Sequence, residues 1–378
     1  MKVEKRVLLG SKKIRQKSSN KRTNKIKLKN YINKNIRNKV LAKENNHKFL
    51  LKKFFLFIIA PIIVIISLSF IYIKYKRTKM HNIPIAFSLN KKYAYPLIVS
   101  LTSILYNSGP NTFYTFYLLL APDSEEHLIK KILDLREKYT NCKIQLIHMG
   151  NKYHKYKSHG YNTPTVYYRL ELSNIINNTD KIIYLDVDTM THKDLTEFYN
   201  IDIGNYYYMG APALDLTRFE FHGTRNYINS GVILINLKKL REVNAPLLFY
   251  NYYKKYGTKK IDEYLINAVF YDKVSFLPLI YGIPDFGVDH MVINSSYFVK
   301  RFKGLVNFTE SEMELASKNR AITHGCYTIT KWWKMDYHRM TNVGKQWLFY
   351  ASKSNAFDDI CSIYNQFESY CNRLKNEK

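Results

Sequence analysis

The sequence contains few cysteines and few acidic residues. Four cysteines among 378 residues are too few for a disulfide scaffold, and none stands in a C-x-x-C pair, which excludes a zinc ribbon and a dithiol redox motif. No internal repeat and no Pro- or Gly-rich linker divides residues 83–344. Apolar residues make up 46% of the chain, enough to bury a sizeable core, so the protein is neither disordered nor fibrous.

Acidic residues are scarcest near the N-terminus. The formal net charge is +29, of which residues 1–79 contribute +21 with only two acids, leaving +8 for the rest. A very basic leader therefore precedes a mildly basic globular part. Within residues 1–53 the only aromatic side chains are Tyr31 and Phe49, so we do not expect nucleic-acid binding. We interpret 1–53 as a basic, disordered tail that also contacts anionic lipid.

One long apolar run follows the basic leader. Residues 54–73 contain no charge and are bracketed by lysines and arginines, which matches a helix that spans the hydrocarbon of a membrane. A signal peptide would lie nearer the N-terminus and end in small residues, and a core helix would show helical periodicity. We therefore predict a transmembrane helix at 54–73 and a short stem at 74–82.

The basic tail favours a single-pass type II topology, with a cytosolic N-terminus and the C-terminal domain across the membrane. Residues 1–53 carry 19 Lys and Arg. In that topology the C-terminal domain lies in the lumen of the ER or Golgi, where Asn177, Asn294 and Asn307 begin N-glycosylation triplets. The alternative is a bacterial inner-membrane protein with a cytoplasmic C-terminal domain.

Strand and helix patterns alternate from residue 83 onward. Buried-strand patterns cover 83–88, 114–120, 143–148, 181–185 and 232–237, and helix patterns cover 94–106 and 124–139. Strands separated by helices of this length predict an α/β domain with a mostly parallel central sheet at 83–344. A helical extension is expected at 345–378.

The candidate chemistry begins at the end of one predicted strand. In KIIYLDVDT at 181–189, Asp186 and Asp188 stand on alternate positions after an apolar run. Open α/β sheets bind ligands at the carboxyl ends of their strands. Two carboxylates there can hold Mg²⁺ or Mn²⁺, which also binds substrate phosphates. Taken alone, the pair fits a solvated strand-to-loop turn equally well.

The segments around this pair resemble the family 8 glycosyltransferases, which include glycogenin and bacterial lipopolysaccharide galactosyl- and glucosyltransferases. TPTVYYRL at 163–170, DKIIYLDVDT at 180–189 and YINSGVILINL at 227–237 carry the resemblance, in the family's order and spacing. The resemblance implies a single GT-A-like, Rossmann-like nucleotide-sugar domain. It also implies metal-dependent transfer of a hexose from a UDP-sugar to a glycan, glycoprotein or glycolipid acceptor, with retention of anomeric configuration.

Carried over residue by residue, the resemblance implies that Asp186, Asp188 and His324 hold a divalent ion, Mn²⁺ or Mg²⁺. Carboxylate and imidazole ligands suit Mn²⁺, and the ion can neutralise a phosphate as the sugar bond breaks. Only its position relative to the aspartate pair distinguishes His324 from an ordinary loop or core histidine.

The resemblance also assigns the nucleotide end of the site. Ser88 and Tyr93 match the loop and the aromatic ring that hold uracil, while Asn90 stands where the family has aspartate. A tyrosine ring can face a planar base, although one of 33 tyrosines can also be a plain surface residue. Arg169 matches an arginine near the nucleotide, where a guanidinium holds a carboxylate or a phosphate.

Four further positions match the donor-sugar and catalytic residues of the family. Asn229 and Gly231 are expected to approach the donor sugar, because glycine permits close backbone contact and an amide bonds hydroxyls. Asp262 matches an acid that binds sugar hydroxyls. Glu263 replaces the family's glutamine beside the reacting carbon, as a nucleophile or as an acid that stabilises a helix start.

Lys331 matches a lysine that binds the diphosphate, but the glycine and proline landmarks of the family are absent around it. The alternative is that Lys331 is basic surface. The departures at Asn90, Glu263 and Lys331 leave a second hypothesis for the whole chain. It is a catalytically degenerate relative that binds a nucleotide-sugar or a glycan without turnover.

Overall fold

The structure, a computed structural model, describes residues 30, 33–78, 80–156, 163–213, 227–256, 261–284, 309–325, 331–335 and 342–376. The chain divides into two compact units, Met1–Lys79 and Met80–Lys378. The predicted tail from residue 1 to 29, and the glycosylation triplets that begin at Asn294 and Asn307, lie outside the described residues.

The described part of the first unit is one helix, whose side chains are largely exposed up to Tyr72. Residues 33–78 are helical, with a π-helical turn at Phe55–Ile59 followed by α1 (Ala60–Thr78). The segment Asn33–Tyr72 is long and apolar enough to cross a membrane, and none of its most apolar stretch is buried within the protein. Residues 33–53 are helical, which differs from the disordered tail predicted at 1–53. The membrane span at 54–73 remains a prediction.

A seven-stranded sheet forms the centre of the second unit. Its strands are β1 (His81–Leu89), β2 (Thr112–Leu120), β3 (Cys142–His148), β4 (Lys181–Leu185), β6 (Tyr208–Pro212), β7 (Ile228–Asn236) and β8 (Val274–Phe276). Their spatial order is β3-β2-β1-β4-β7-β6-β8. Strand β7 is antiparallel to both neighbours, β4 and β6, and the other neighbouring pairs are parallel. The prediction of a mostly parallel sheet is confirmed.

A smaller, three-stranded sheet continues from the carboxyl end of β4. It consists of β5 (Thr189–Thr191), β9 (Ile283–Pro284) and β10 (Ile322–His324), in the order β5-β10-β9. Strand β10 is antiparallel to β5, and His324 pairs with Thr189. This pairing brings a histidine from late in the chain beside the end of β4.

Short helices cover the sheets. The α-helices are α2 (Ala94–Tyr106), α3 (Glu126–Leu133), α4 (Leu135–Lys138), α5 (Leu172–Ile175), α6 (Thr196–Tyr199), α7 (Leu237–Glu242), α8 (Ala245–Tyr256), α9 (Asp262–Val269), α10 (Glu310–Lys318), α11 (Asn342–Ser352), α12 (Phe357–Ile363) and α13 (Glu368–Asn376). Within the described residues there are four 3₁₀ segments, Lys91–Tyr93, Pro164–Glu171, Trp332–Lys334 and Asn365–Phe367.

The observed elements confirm most of the predicted ones and correct two. Helix α2 and strand β4 have the predicted bounds. The helix predicted at 124–139 is two helices that meet at Asp134, because aspartate competes for backbone hydrogen bonds and weakens a helix interior. The strand predicted at 232–237 starts earlier, at Ile228, and ends at Asn236, so Leu237 begins α7.

Two apolar clusters lie on the two faces of the central sheet. Successive side chains of a strand point to opposite faces, so Ile85 and Phe87 belong to one cluster and Ala86 to the other. The C-terminal helices pack in the first cluster through Trp347 and Ile360. The predicted helical extension at 345–378 therefore shares the core of β1.

Candidate active site

Three potential metal ligands converge at the carboxyl edge of the parallel strands. Asp186 directly follows β4, Asp188 precedes β5, and His324 ends β10. One ligand atom from each lies within 4.8 Å of the others. The His324 Nε2 atom is 3.3 Å from Asp188 Oδ1 and 3.7 Å from Asp186 Oδ2. The structure thus brings together the trio that the sequence predicts.

Gly231 provides the space in which these side chains meet. It lies within β7, where its carbonyl accepts a hydrogen bond of 2.8 Å from the Asp186 backbone N–H. A Cβ atom at Gly231 would collide with the His324 ring and approach Asp186 Oδ2 to 2.6 Å. The sequence predicts Gly231 beside the donor sugar, and the structure places it against two of the potential ligands, Asp186 and His324.

The three side chains fit a divalent cation chemically. Two carboxylates and an imidazole are ligands that Mn²⁺ accepts. Burial by itself would raise the pKa of Asp188, but the Lys331 ammonium and His324 outweigh it and hold that pKa well below its usual range. Asp188 is therefore deprotonated, as a metal ligand must be.

Lys331 lies beside the same carboxylate. Its Nζ atom pairs with Asp188 and donates a hydrogen bond of 2.9 Å to the carbonyl of Gly325. Lys331 precedes the 3₁₀ turn Trp332–Lys334, in which both tryptophans are buried. Despite the missing family landmarks, Lys331 reaches the aspartate pair.

Arg169 connects this region to a second acidic pair. The residue is 4% exposed, with Nη2 2.8 Å from Asp186 Oδ1 and Nε 2.9 Å from Asp262 Oδ2. Its Nη1 atom donates to the backbone carbonyl of Ser230, and the guanidinium lies over the Tyr184 ring. Burial opposes the charge, but Asp186 and Asp262 raise the pKa of Arg169 above its ordinary value. The sequence predicts that Arg169 binds a carboxylate or a phosphate, and in the structure it binds two carboxylates.

Asp262 and Glu263 begin helix α9, against the first residues of β7. Asp262 is 1% exposed and accepts a hydrogen bond of 3.0 Å from the Ser230 hydroxyl. Glu263 Oε2 accepts from Asn229 Nδ2 at 2.8 Å and from the Ser230 N–H at 3.2 Å. The N-cap residue is Ile261, without a side-chain cap. Glu263 thus lies in the first turn of α9, as one of the two predicted alternatives has it, and its carboxylate also bonds β7.

Strand direction explains why these elements meet. Because β7 is antiparallel to β4, Val232 pairs with Leu185, and residues 229–231 extend past the end of β4 into the site. Asn267 of α9 holds both backbone groups of Ile228, accepting from its N–H at 2.9 Å and donating to its carbonyl at 2.8 Å. The start of α9 is thereby fixed beside the start of β7.

Tyr184 is a site residue that the sequence analysis missed. Its hydroxyl is 3.1 Å from Ser88 Oγ and 3.3 Å from Asp186 Oδ1. Burial raises the pKa of Tyr184, so the hydroxyl keeps its proton and can donate. The strand period of two could have predicted this contact, because it puts the side chains of Tyr184 and Asp186 on the same face of the strand.

The predicted nucleotide end lies next to the aspartates. Tyr93 is half-buried, and its ring meets the Trp333 ring edge-on, with centroids 6.1 Å apart. Burial raises the pKa of Tyr93, and the nearby Lys331 ammonium opposes this change. The buried Asn90 donates from Nδ2 to Thr163 Oγ1 at 3.2 Å, while its Oδ1 atom has no hydrogen-bond partner among the described residues.

A mostly parallel sheet with carboxylates at its strand ends, closed by a late histidine, is the architecture of a GT-A-like glycosyltransferase. Residues 84–284, more than half of the chain, match the sequence model of glycosyl transferase family 8, and the chain belongs to this family. The family prediction and the GT-A-like fold prediction are confirmed, and glycosyltransferase activity is supported.

Similar proteins agree with this membership. A Haemophilus influenzae protein that is named as a glycosyltransferase is 28% identical over 303 residues, which are 75% of this chain and 82% of the relative. Galactosyltransferase LgtC, solved with donor and acceptor sugar analogues, has 21% identity and a TM-score of 0.59 over 72% of this chain and 96% of its own. An active-site mutant of LgtC has 22% identity and a TM-score of 0.58, with the same coverage. These structural likenesses concern the fold.

Proposed function

We propose that this protein transfers a hexose from a UDP-sugar to a glycan, glycoprotein or glycolipid acceptor, with retention of anomeric configuration and dependence on a divalent ion. The observation that carries the proposal is the convergence of Asp186, Asp188 and His324 within 4.8 Å. The neighbouring Lys331 adds a cation at the same place.

Asp186, Asp188 and His324 would hold Mn²⁺ or Mg²⁺, and the bound ion would neutralise charge on the diphosphate of the donor. Lys331 binds the same diphosphate through its ammonium group and stabilises the negative charge that develops on the leaving UDP. The Lys331 Nζ atom already pairs with Asp188, so binding the diphosphate requires only a small movement of a flexible side chain.

Ser88, Asn90 and Tyr93 bind the uracil base. The Tyr93 ring provides an apolar face, and the unpartnered Asn90 Oδ1 atom supports a hydrogen bond from a base N–H. Ser88 lies at one end of this uracil subsite, where its hydroxyl accepts a hydrogen bond from the Tyr184 hydroxyl.

Asn229, Asp262 and Glu263 bind the donor sugar. A covalent route would require a carboxylate that attacks the anomeric carbon. The Glu263 Oε2 atom instead accepts hydrogen bonds from Asn229 and from the Ser230 N–H. This supports attack by the acceptor on the same face as the leaving phosphate, with Glu263 orienting the amide of Asn229.

We further propose that residues 54–73 anchor the protein as a type II membrane protein whose catalytic domain lies outside the cytosol. A disulfide joins Cys361 to Cys371, and disulfides persist in oxidising compartments. This supports the lumenal placement over a cytoplasmic one, and the exposed Asn177 is a glycosylation candidate there. Protease treatment of sealed microsomes should spare residues 80–378. Digestion of this domain from the cytosolic side would overturn the placement.

A panel of UDP-sugars tests the activity. Purified full-length protein in detergent should release UDP from one of these donors in the presence of Mn²⁺, and exhaustive chelation should stop the release. Addition of metal should then restore it. UDP binding without release from any donor would contradict the proposal and favour the degenerate relative.

A further inference from the structure

All three tryptophans of the chain lie together beside the candidate site. Trp332, Trp333 and Trp347 are buried, and the rings of Trp333 and Trp347 have centroids 6.0 Å apart. Trp332 packs under Gly325, where an added Cβ atom would lie 3.2 Å from the indole. We call these three residues the tryptophan cluster.

The tryptophan cluster includes the turn that follows Lys331. The turn Trp332–Lys334 has three residues, and its backbone bonds are Lys334 N–H to the Lys331 carbonyl and Met335 N–H to the Trp332 carbonyl. Two such bonds are too few to hold a 3₁₀ turn in place by themselves. Besides its own bonds to Asp188 and the Gly325 carbonyl, the position of Lys331 therefore depends on what packs against the turn.

The C-terminal helices supply that packing. Gln366 Nε2 donates a hydrogen bond of 2.7 Å to the Trp333 carbonyl. The Trp347 ring lies 6.2 Å from the ring of Tyr364 and 6.1 Å from the ring of Phe367. These three contacts come from the short connection between α12 and α13.

A disulfide closes that connection. Cys361 on α12 is bonded to Cys371 on α13, ten residues later, so Tyr364, Gln366 and Phe367 all lie inside the closed loop. Helices of seven and nine residues are too short to be stable alone. A cross-link of this kind reduces the conformational freedom of the segment that it closes.

We propose that the Cys361–Cys371 disulfide positions the active site. By closing α12 onto α13 it holds Gln366 and Phe367 against the tryptophan cluster, and so keeps Lys331 beside Asp188. Reduction of the disulfide releases the turn and moves the ammonium away from the aspartate pair. Only the catalytic consequence of this movement rests on the proposed function.

Tryptophan fluorescence tests the structural part directly, because no tryptophan lies outside the cluster. Full-length protein in detergent is treated with tris(2-carboxyethyl)phosphine well below its unfolding temperature, and mass spectrometry verifies that both sulfurs are reduced. We expect a red shift of the emission and stronger quenching by acrylamide. Unchanged emission of the reduced, folded protein would overturn the proposal.

Two variants control for unrelated effects of the reductant. The double variant Cys361→Ala/Cys371→Ala should show the red-shifted emission without reductant and no further response to it. Cys142→Ala removes a buried free cysteine of β3 and should respond like the wild type. A double variant with wild-type emission would contradict the positioning role.

Turnover distinguishes positioning from simple stabilisation. If the turn no longer holds Lys331 near the aspartate pair, kcat for UDP release should fall by about a hundredfold at unchanged far-UV circular dichroism, because a donor to the leaving group is lost. A merely stabilising disulfide would lower the melting temperature and leave kcat and the emission unchanged below it, which would overturn the proposal. If wild-type protein released no UDP, the proposed function would fail, and the emission would still decide the positioning.

Gln366→Ala tests the contact while the disulfide stays intact. We expect a smaller red shift and a smaller loss of kcat than reduction causes. The matched control is Asn355→Ala, an exposed amide that donates to the Lys131 carbonyl at 2.9 Å, away from the turn. Equal behaviour of the two variants would show that Gln366 does not hold the turn.

Discussion

The two acidic pairs of the site differ in what surrounds their oxygens. Asp186 and Asp188 follow a strand and face His324. The Asp186 side chain is 29% exposed, and the Asp188 side chain is 11% exposed. Asp262 and Glu263 begin a helix, are at most 3% exposed, and accept hydrogen bonds from β7 and from a buried guanidinium. The same residue types thus form a partly exposed pair, here called the open pair, in one place and an enclosed pair, here called the closed pair, in the other.

The largest effect should come from the open pair. Asp188→Asn removes one negative charge from the three potential ligands, and even outer-shell changes weaken metal sites by about 10- to 100-fold. We expect turnover to fall more than about a hundredfold, measured as Mn²⁺-dependent UDP release, with unchanged circular dichroism.

The control is Asp180→Asn, an exposed aspartate just before β4 that pairs with Arg241. It should retain wild-type turnover. Full activity of Asp188→Asn, or wild-type activity that survives exhaustive chelation, would contradict the metal assignment.

Breaking the connection between the two pairs should cost stability. Arg169→Met leaves the Asp186 and Asp262 carboxylates without their shared cation, and removing one partner of a buried ion pair costs about 3–5 kcal/mol. Urea unfolding should show this loss in the free energy of unfolding. Lys239→Met, which breaks an exposed pair with Glu242, should cost less than about 1 kcal/mol. Equal losses would mean that Arg169 does not join the pairs.

A pH titration of stability tests His192, which contacts β10 through Thr323. His192 lies behind the strand, where its Nε2 atom is 2.9 Å from Thr323 Oγ1, and burial with the nearby Arg320 charge lowers its pKa from 6.5 to about 4. The unfolded chain takes up this proton near pH 6.5 and the folded chain only near pH 4. The free energy of unfolding should therefore decrease by about 3 kcal/mol in total as the pH is lowered from 6.5 to 4.

The variant His192→Gln should flatten this part of the stability curve, because an amide does not titrate. A curve for His192→Gln that is parallel to the wild-type curve would contradict the assignment.

The smallest effect is expected at the closed pair. Glu263→Gln keeps an oxygen that can accept from the Ser230 N–H, so under same-face attack turnover should change by less than about threefold, or under 1 kcal/mol. Mass spectrometry of protein incubated with donor alone should find no sugar adduct. An adduct on Glu263, together with a large loss of turnover in the variant, would establish the covalent route instead.

Local patterns of the sequence were sufficient for much of the fold. The bounds of α2 and β4 follow from mainly apolar runs that are followed by polar residues. Asp186 and Asp188 at the end of such a strand fit a turn equally well, and the resemblance to the family 8 glycosyltransferases was needed to predict them as a ligand pair. The break at Asp134 and the early start of β7 were missed because single polar residues only weakly mark the ends of elements.

Partners distant in sequence could not be predicted in this way. The sequence predicts that Arg169 binds a carboxylate or a phosphate, but its choice of Asp186 and Asp262 depends on where three separate elements meet. The pairing of Cys361 with Cys371 is likewise a property of the packed C-terminal helices.

The sequence by itself determined the alternation of strands and helices, the apolar run at 54–73 and the residue types of the candidate site, because these depend on composition and short periodicities. The tertiary structure decided which acids face an open space and which are enclosed. The direction of β7 carries residues 229–231 past the end of β4, and the missing side chain of Gly231 lets His324 reach the aspartates. Such effects arise from contacts between distant residues in three dimensions, and neighbouring residues in the chain do not encode them.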